Sequence, residues 1–213
     1  VNARDAILGA LRAARGSAAP ALPPPTPLRD VPVAERALRF TAALTAVGGV
    51  VEHCADLPAA LQRARALCAA AGVRSVAASD APELASLRAT LGPAVRVLPP
   101  DAERGDLLAA DAGITTAQWG IAETGTLVLV SNHERHRLAS LLPPLHVALL
   151  PASRLLGTLD AAFAALRPAD GRPVARTITF VTGPSRTADI ELELVVGVHG
   201  PKALHVVLFE HKS

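Results

Sequence analysis

From Val33 onward the chain alternates between segments with helical spacing and short apolar runs, and this alternation constrains the fold more than any other feature. "VAERALRFTAALTAVGG" has helical character and stops at Gly48-Gly49, and "VVEHC" follows as a strand. "DLPAALQRARALCAAAG" carries Asp56 as an N-cap, Pro58 in the first turn and Gly72 as its stop. Its Leu57, Leu61, Ala64 and Leu67 share one face. "RSVAAS" and "VRVLP" are strands on either side of the helical "APELASLRATLG". Strands separated by helices of this length cannot pair as hairpins, so the rhythm predicts a parallel sheet with helices on its faces.

The middle of the chain breaks the rhythm. "AGITTAQWGIAETGTLVLVSN" has glycines at 113, 120 and 125 and no helical period, which predicts two or three strands joined by tight turns. "HERHRLASLLP" returns to helix, "HVALLP" to strand, "LDAAFAALRP" to helix, and "RTITFVTG" and "LHVVLFE" to strand. With no internal repeat, residues 33–213 form one α/β domain. Residues 1–32 stand apart. There "NARDAILGALRAAR" forms a short amphipathic helix, with Asn2 as N-cap and Ile7, Leu8 and Leu11 as its apolar stripe. Pro20, Pro23, Pro24, Pro25 and Pro27 then favour an extended, semi-rigid strap. An arm packed on its own domain is the plainer expectation for this helix; reaching a partner subunit is the other.

Composition narrows the function. Half of the 213 residues are apolar, enough for a large core, while the aromatics amount to one Trp and four Phe. Such a core must be built from Ala, Val and Leu, which suits close layers of helix on sheet. Net charge is +2, and the basic residues are interleaved with acids and lack stacking aromatics. Nucleic-acid binding therefore has no footprint. Cys54 and Cys68 lie too far apart for a Cys-x-x-Cys pair, and two thiols alone hold neither an iron–sulfur cluster nor a structural zinc. Arg4, Asp5, Arg12 and Arg15 interrupt any signal-peptide core, and no apolar run reaches the length of a membrane span. The expectation is a soluble, cytoplasmic protein.

Two stretches could carry chemistry. In "GIAETGTLVLV", Glu123 stands before Thr124, Gly125 and Thr126 at the mouth of an apolar strand. A turn that happens to carry an acid explains this as well as a ligand site does. In "VTGPSRTADIE", a strand runs into Gly183, Pro184, Ser185, Arg186 and Thr187, followed by a candidate short helix. Backbone amides there, with the Ser185, Arg186 and Thr187 side chains, could cradle a small anion. The frames of a Walker A loop and of a nucleophile elbow are both absent, and a common Gly-Pro-Ser turn is the plainer reading. Asp189 and Glu191 would share a face on a strand, and His199 and Gly200 lie in the turn "GVHGP". An exposed histidine is commoner there than a general base. His133 and His136 have metal-like spacing, but Arg135 and Arg137 would repel a cation, so a surface helix is expected and no metal site is assigned.

Taken together, "GIAETGTLVL", "LPPLHVALLP" and "ITFVTGPSRTADIELELVVGVHGPKALHVVLFE" resemble the LUD-domain family, in its lactate utilization protein C branch. The resemblance covers most of residues 36–210. It implies a three-layer α/β/α sheet similar to the superfamily of ribose-5-phosphate isomerase, glucosamine-6-phosphate deaminase and CoA-transferases. It also implies a part in bacterial oxidation of L-lactate to pyruvate, as a small or accessory subunit. The implied partners are a larger iron–sulfur LUD-domain protein and a cysteine-rich protein, with the clusters on those partners and no cofactor on this chain. Related CoA-transferases place a glutamate before a Gly-containing turn, and Glu123-Thr124-Gly125 is similar, with Thr124 where asparagine is common. An independent CoA-transferase-like or sugar-phosphate isomerase-like enzyme using Glu123 is the alternative.

Overall fold

The computed structural model describes residues 2–14, 30–135, 137–167, 175–188, 194–196 and 200–210, with backbone alone at 187, 188 and 194–196. The elements in chain order begin with α1 (Ala3–Ala14), α2 (Val33–Ala46), β1 (Val50–Cys54), α3 (Leu57–Ala70) and β2 (Ser75–Ala78). Next come α4 (Leu87–Leu91), β3 (Arg96–Leu98), α5 (Arg104–Leu108), β4 (Ala112–Thr116), β5 (Trp119–Ile121) and β6 (Thr126–Val130). The chain continues with α6 (Arg137–Leu141), β7 (Leu145–Pro151), β8 (Leu155–Leu156), α7 (Leu159–Leu166) and β9 (Ile178–Val181). It closes with β10 (Arg186–Ala188), β11 (Leu194–Val196) and β12 (Ala203–Phe209).

Six strands form one sheet in the order β1-β12-β7-β4-β2-β3, and every neighbouring pair is parallel. The expected α/β architecture with a parallel sheet flanked by helices is what the chain adopts. Alternate residues of each strand face opposite layers. Val76, Ile114, Val147, Leu149 and Val207 pack under α3 and α4, through Leu61, Ala64, Leu67 and Leu87. The helix α3 starts as its sequence prescribes, with the Asp56 carboxylate accepting the Ala59 N–H at 3.0 Å.

The opposite face is covered differently. Ala148, Leu150, Val206 and Leu208 meet Phe40 and Leu44 of α2, and also Leu127 and Leu129 of β6. β6 belongs to a second, four-stranded sheet of order β8-β5-β6-β9. Its other face carries Val128 and Val130 against Ala162 of α7. β6 is thus buried on both sides, which is why Leu127–Val130 is an unbroken apolar run. Farther along the same face, α6 crosses β4 so closely that a Cβ on Gly113 would stand 1.7 Å from the Ala139 carbonyl oxygen.

Two local expectations change. Where a helix is expected over "HERHRLASLLP", His133 to Arg135 form a loop and the described helix is Arg137–Leu141. "APELASLRATLG" divides into a 3₁₀ turn at Pro82–Leu84 and the five-residue α4. After Gly183, Arg186–Ala188 pairs antiparallel with β11, in the register Arg186 to Val196, and residues 189–193, where the candidate short helix falls, lie outside the described residues. α1 forms as expected, but none of its residues is buried, so the packing of this arm on its domain is not seen. The Pro-rich strap lies outside the described residues.

Candidate functional site

The Glu123 turn closes the β5–β6 hairpin. Gly125 adopts φ +66°, and its N–H donates to the Ile121 carbonyl at 2.9 Å. A left-handed residue at this position favours glycine. The backbone also presses on α2, since a Cβ at Gly125 would lie 2.3 Å from the Leu44 nitrogen. Glu123 itself turns to α7. Its N–H donates to the Gly157 carbonyl at 3.1 Å, and its Oε2 accepts the Leu159 N–H at 3.3 Å. A carboxylate against the first turn of a helix complements the unpaired N–H groups there. The Thr158 hydroxyl caps the same helix by accepting from Ala161 N–H at 3.2 Å.

The two stretches singled out in the sequence meet through hydroxyls. Thr124 Oγ1 lies 2.7 Å from Thr126 Oγ1, which lies 3.0 Å from the hydroxyl of Thr182. Thr182 leads from β9 into Gly183 and Pro184. The Ser185 N–H donates to the Pro201 carbonyl at 2.8 Å, and Gly200 packs so tightly that a Cβ there would be 3.0 Å from Ser185 Cβ. Gly183, Ser185 and Gly200 thereby line one cleft of about 180 Å³, together with Thr182, Ser140 and His146. The fully buried His146 Nε2 is 2.9 Å from Thr115 Oγ1.

Other expected residues are placed elsewhere. Arg186 sends its Nη2 to the Val47 carbonyl at 2.5 Å, finishing the C-terminus of α2, and does not line the cleft. Neither Pro184 nor Glu123 lines it. Asp189, Glu191 and His199 lie outside the described residues, as does the Thr187 side chain.

Sequence reasoning missed two features in the loop before α6. Glu134 is 3% exposed, and its carboxylate accepts from the Ser79 hydroxyl, Thr116 N–H (3.2 Å), Thr116 Oγ1 (2.7 Å) and Gln118 Nε2 (2.9 Å). Gln118 in turn accepts the Val130 N–H at 2.5 Å, so this knot joins both sheets. Four donors on one buried carboxylate offset much of its desolvation. The second feature is a cavity of about 290 Å³ beside this knot, with Arg135, Arg137 and Arg176 around it. Arg135 donates its backbone N–H and its Nε to the Asp80 carboxylate at 2.6 and 2.7 Å. Burial pushes the Asp80 carboxyl up, and these Arg135 bonds outweigh it, leaving Asp80 below its ordinary pKa. The sequence signal was a glutamate inside a basic run directly after a buried strand.

The thiols are quiet. Burial pushes Cys68 up to about 11, and burial followed by the Glu52 charge raises Cys54. Among the described residues no three His, Cys, Asp or Glu side chains converge as a metal site, and no helix is long and apolar enough to cross a membrane.

The chain is thus an α/β protein with a parallel six-stranded sheet, a small hydroxyl-lined cleft and an arginine-lined cavity. Its family follows from comparison: the LUD domain matches residues 37–209, and the chain belongs to that family. It is similar to Lactate utilization protein C of Bacillus licheniformis, 43% identical over 102 residues, covering 46% of this chain and 42% of that protein. The protein of the same name from Bacillus subtilis is 42% identical over 102 residues, again covering 46% and 42%. The matched part thus spans less than half the length of these curated relatives. A crystal structure of a DUF162 family protein from Deinococcus radiodurans superposes with TM-score 0.58 and 25% identity, over 84% of this chain and 99% of that one.

Proposed function

We propose that this chain takes part in bacterial L-lactate utilization, as an accessory subunit of an assembly that oxidises L-lactate to pyruvate. The observation that carries the reading is the LUD domain match over residues 37–209, joined to identities of 42–43% with proteins named Lactate utilization protein C. The oxidation removes two electrons and two protons from the substrate, so it needs an electron acceptor. Two cysteines cannot hold an iron–sulfur cluster, so the reading places the clusters on an iron–sulfur LUD-domain protein and a cysteine-rich protein that bind this chain. The cleft of about 180 Å³ is the place it assigns to a small carboxylate. There the hydroxyls of Thr182 and Ser185 and the open backbone at Gly183 and Gly200 supply donors of the right size for a three-carbon acid.

The test is complementation joined to pull-down. A Bacillus strain deleted for its lactate utilization protein C should regain growth on L-lactate when this chain is expressed with its own neighbouring partners. Tagged chain should retain iron-containing proteins from that strain. Lactate oxidation by the purified chain alone, or retention of no iron-containing partner, sinks the subunit reading.

A further inference from the structure

We infer that the cavity beside α6 is a binding site for a phosphomonoester, a small dianion carrying a compact apolar body. The proposal stands apart from the lactate reading and rests on charge, preorganisation and position.

Charge comes first. Arg135 is offset by Asp80 at 2.7 Å. Among the described residues, Arg137 and Arg176 have no ion-pair partner. Two uncompensated guanidiniums therefore face a cavity of about 290 Å³. Like charges held together repel, and a phosphate group of about −1.5 to −2 cancels the pair, where a carboxylate would leave half of it. Guanidinium groups also match phosphate oxygens in two-point hydrogen bonding.

The segments that carry the arginines are fastened to each other by residues far apart in sequence. Ser131 N–H donates to the Thr177 carbonyl at 3.0 Å, and Thr177 N–H donates to the Ser131 hydroxyl at 3.0 Å. This two-bond clasp fastens the Arg176 segment to the loop that carries Arg135 and Arg137. The two bonds to Asp80 fix Arg135 from the other side. Glu134, on the same loop, does not line the cavity and spends its charge on the donors described above.

Position completes the case. Ala78 ends β2 and Pro100 follows β3, so the cavity opens at the carboxyl ends of two parallel strands, where open α/β sheets take ligands. Its apolar wall is made by Pro100, Leu107 and Leu138. That wall suits the carbon body of an ester better than a free inorganic ion, and the volume lies at the small end of ligand pockets.

The experiment is titration calorimetry of the full chain with phenyl phosphate, with inorganic phosphate and benzoate as comparison probes. Phenyl phosphate should bind saturably, more tightly than either comparison probe, and more weakly as salt rises. Arg137→Ala and Arg176→Ala should each weaken it about tenfold, the loss of one charge-assisted contact. Both side chains are exposed, so the variants should keep the circular dichroism and melting temperature of the parent. Absence of saturable binding up to about 10 mM, or equal affinity in the folded Arg137→Ala/Arg176→Ala double variant, overturns the site. Benzoate binding as tightly as phenyl phosphate overturns the dianion assignment, and inorganic phosphate doing so overturns the apolar body.

Discussion

Replacing Gly125 by alanine tests whether the Glu123 turn is a close-packed joint. The residue has φ +66°, and a left-handed alanine costs roughly 1–2 kcal/mol. Packing adds more. The new Cβ would stand 2.3 Å from Leu44 N, 2.7 Å from Leu44 Cα and 2.8 Å from the Ala43 carbonyl carbon. Ordinary contacts lie at about 3.5 Å or beyond, so α2 must withdraw by roughly 1 Å. The struck atoms are backbone and cannot rotate away. Withdrawal loosens Phe40 and Leu44, both fully buried against the parallel sheet, at an overpacking cost of about 1–3 kcal/mol. The total loss is about 2–5 kcal/mol, a large part of the ordinary 5–15 kcal/mol of domain stability. Gly72→Ala is the reference, because Gly72 has φ +67° with nothing within 4 Å of the added carbon. Urea unfolding followed by circular dichroism should place Gly125→Ala about 1–3 kcal/mol below Gly72→Ala. If the two variants agree within about 0.5 kcal/mol, the close approach of turn and helix contributes nothing and the reasoning fails.

Glu134→Ala would strand the Thr116 N–H and three side-chain donors in a dry site, and should cost about 3 kcal/mol in urea unfolding. Glu134→Gln, which restores one acceptor oxygen, should fall between it and the parent; an unchanged midpoint for the alanine variant would refute the knot. His205 should make the fold acid-sensitive. Burial lowers its pKa first, Glu52 opposes this, and the Arg63 charge adds to the lowering. A folded-state pKa below the ordinary 6.5 means that the unfolded chain takes up the proton more readily. The stability from the neutral ring is present above about pH 6.5 and is lost as pH falls through the folded pKa. Urea midpoints at pH 7.5 and 5.5, compared between the parent and His205→Gln, check it: the variant should lose less on acidification, and an equal loss would refute the assignment.

Much of the fold was legible because it is local. Asp56 before "LPAALQ" and Gly72 after it set the ends of α3 through short-range hydrogen bonds and backbone preference. The apolar run of β6 announced a strand whatever covered it. The candidate site was legible in part. Gly183, Ser185 and Gly200 do share a cleft, and Thr124 and Thr126 join it through Thr182. What the sequence could not show was where each charge would find its partner. Arg186, in an anion-like loop, crosses to the carbonyl of Val47, 139 residues earlier. Glu134, inside a basic run that looked like a solvated helix, is drawn inward by donors 16 to 55 residues away.

The sequence by itself determined the element types, the parallel α/β layout and the turn at Gly125, since periodicity, caps and φ preference act within a few residues. The tertiary structure alone decided that a second sheet covers the face beside α2, that Glu123 binds the first turn of α7, and that three arginines surround one cavity. Those outcomes depend on which distant backbone donors, acceptors and charges packing brings within about 3 Å, and short-range preference carries no information about that.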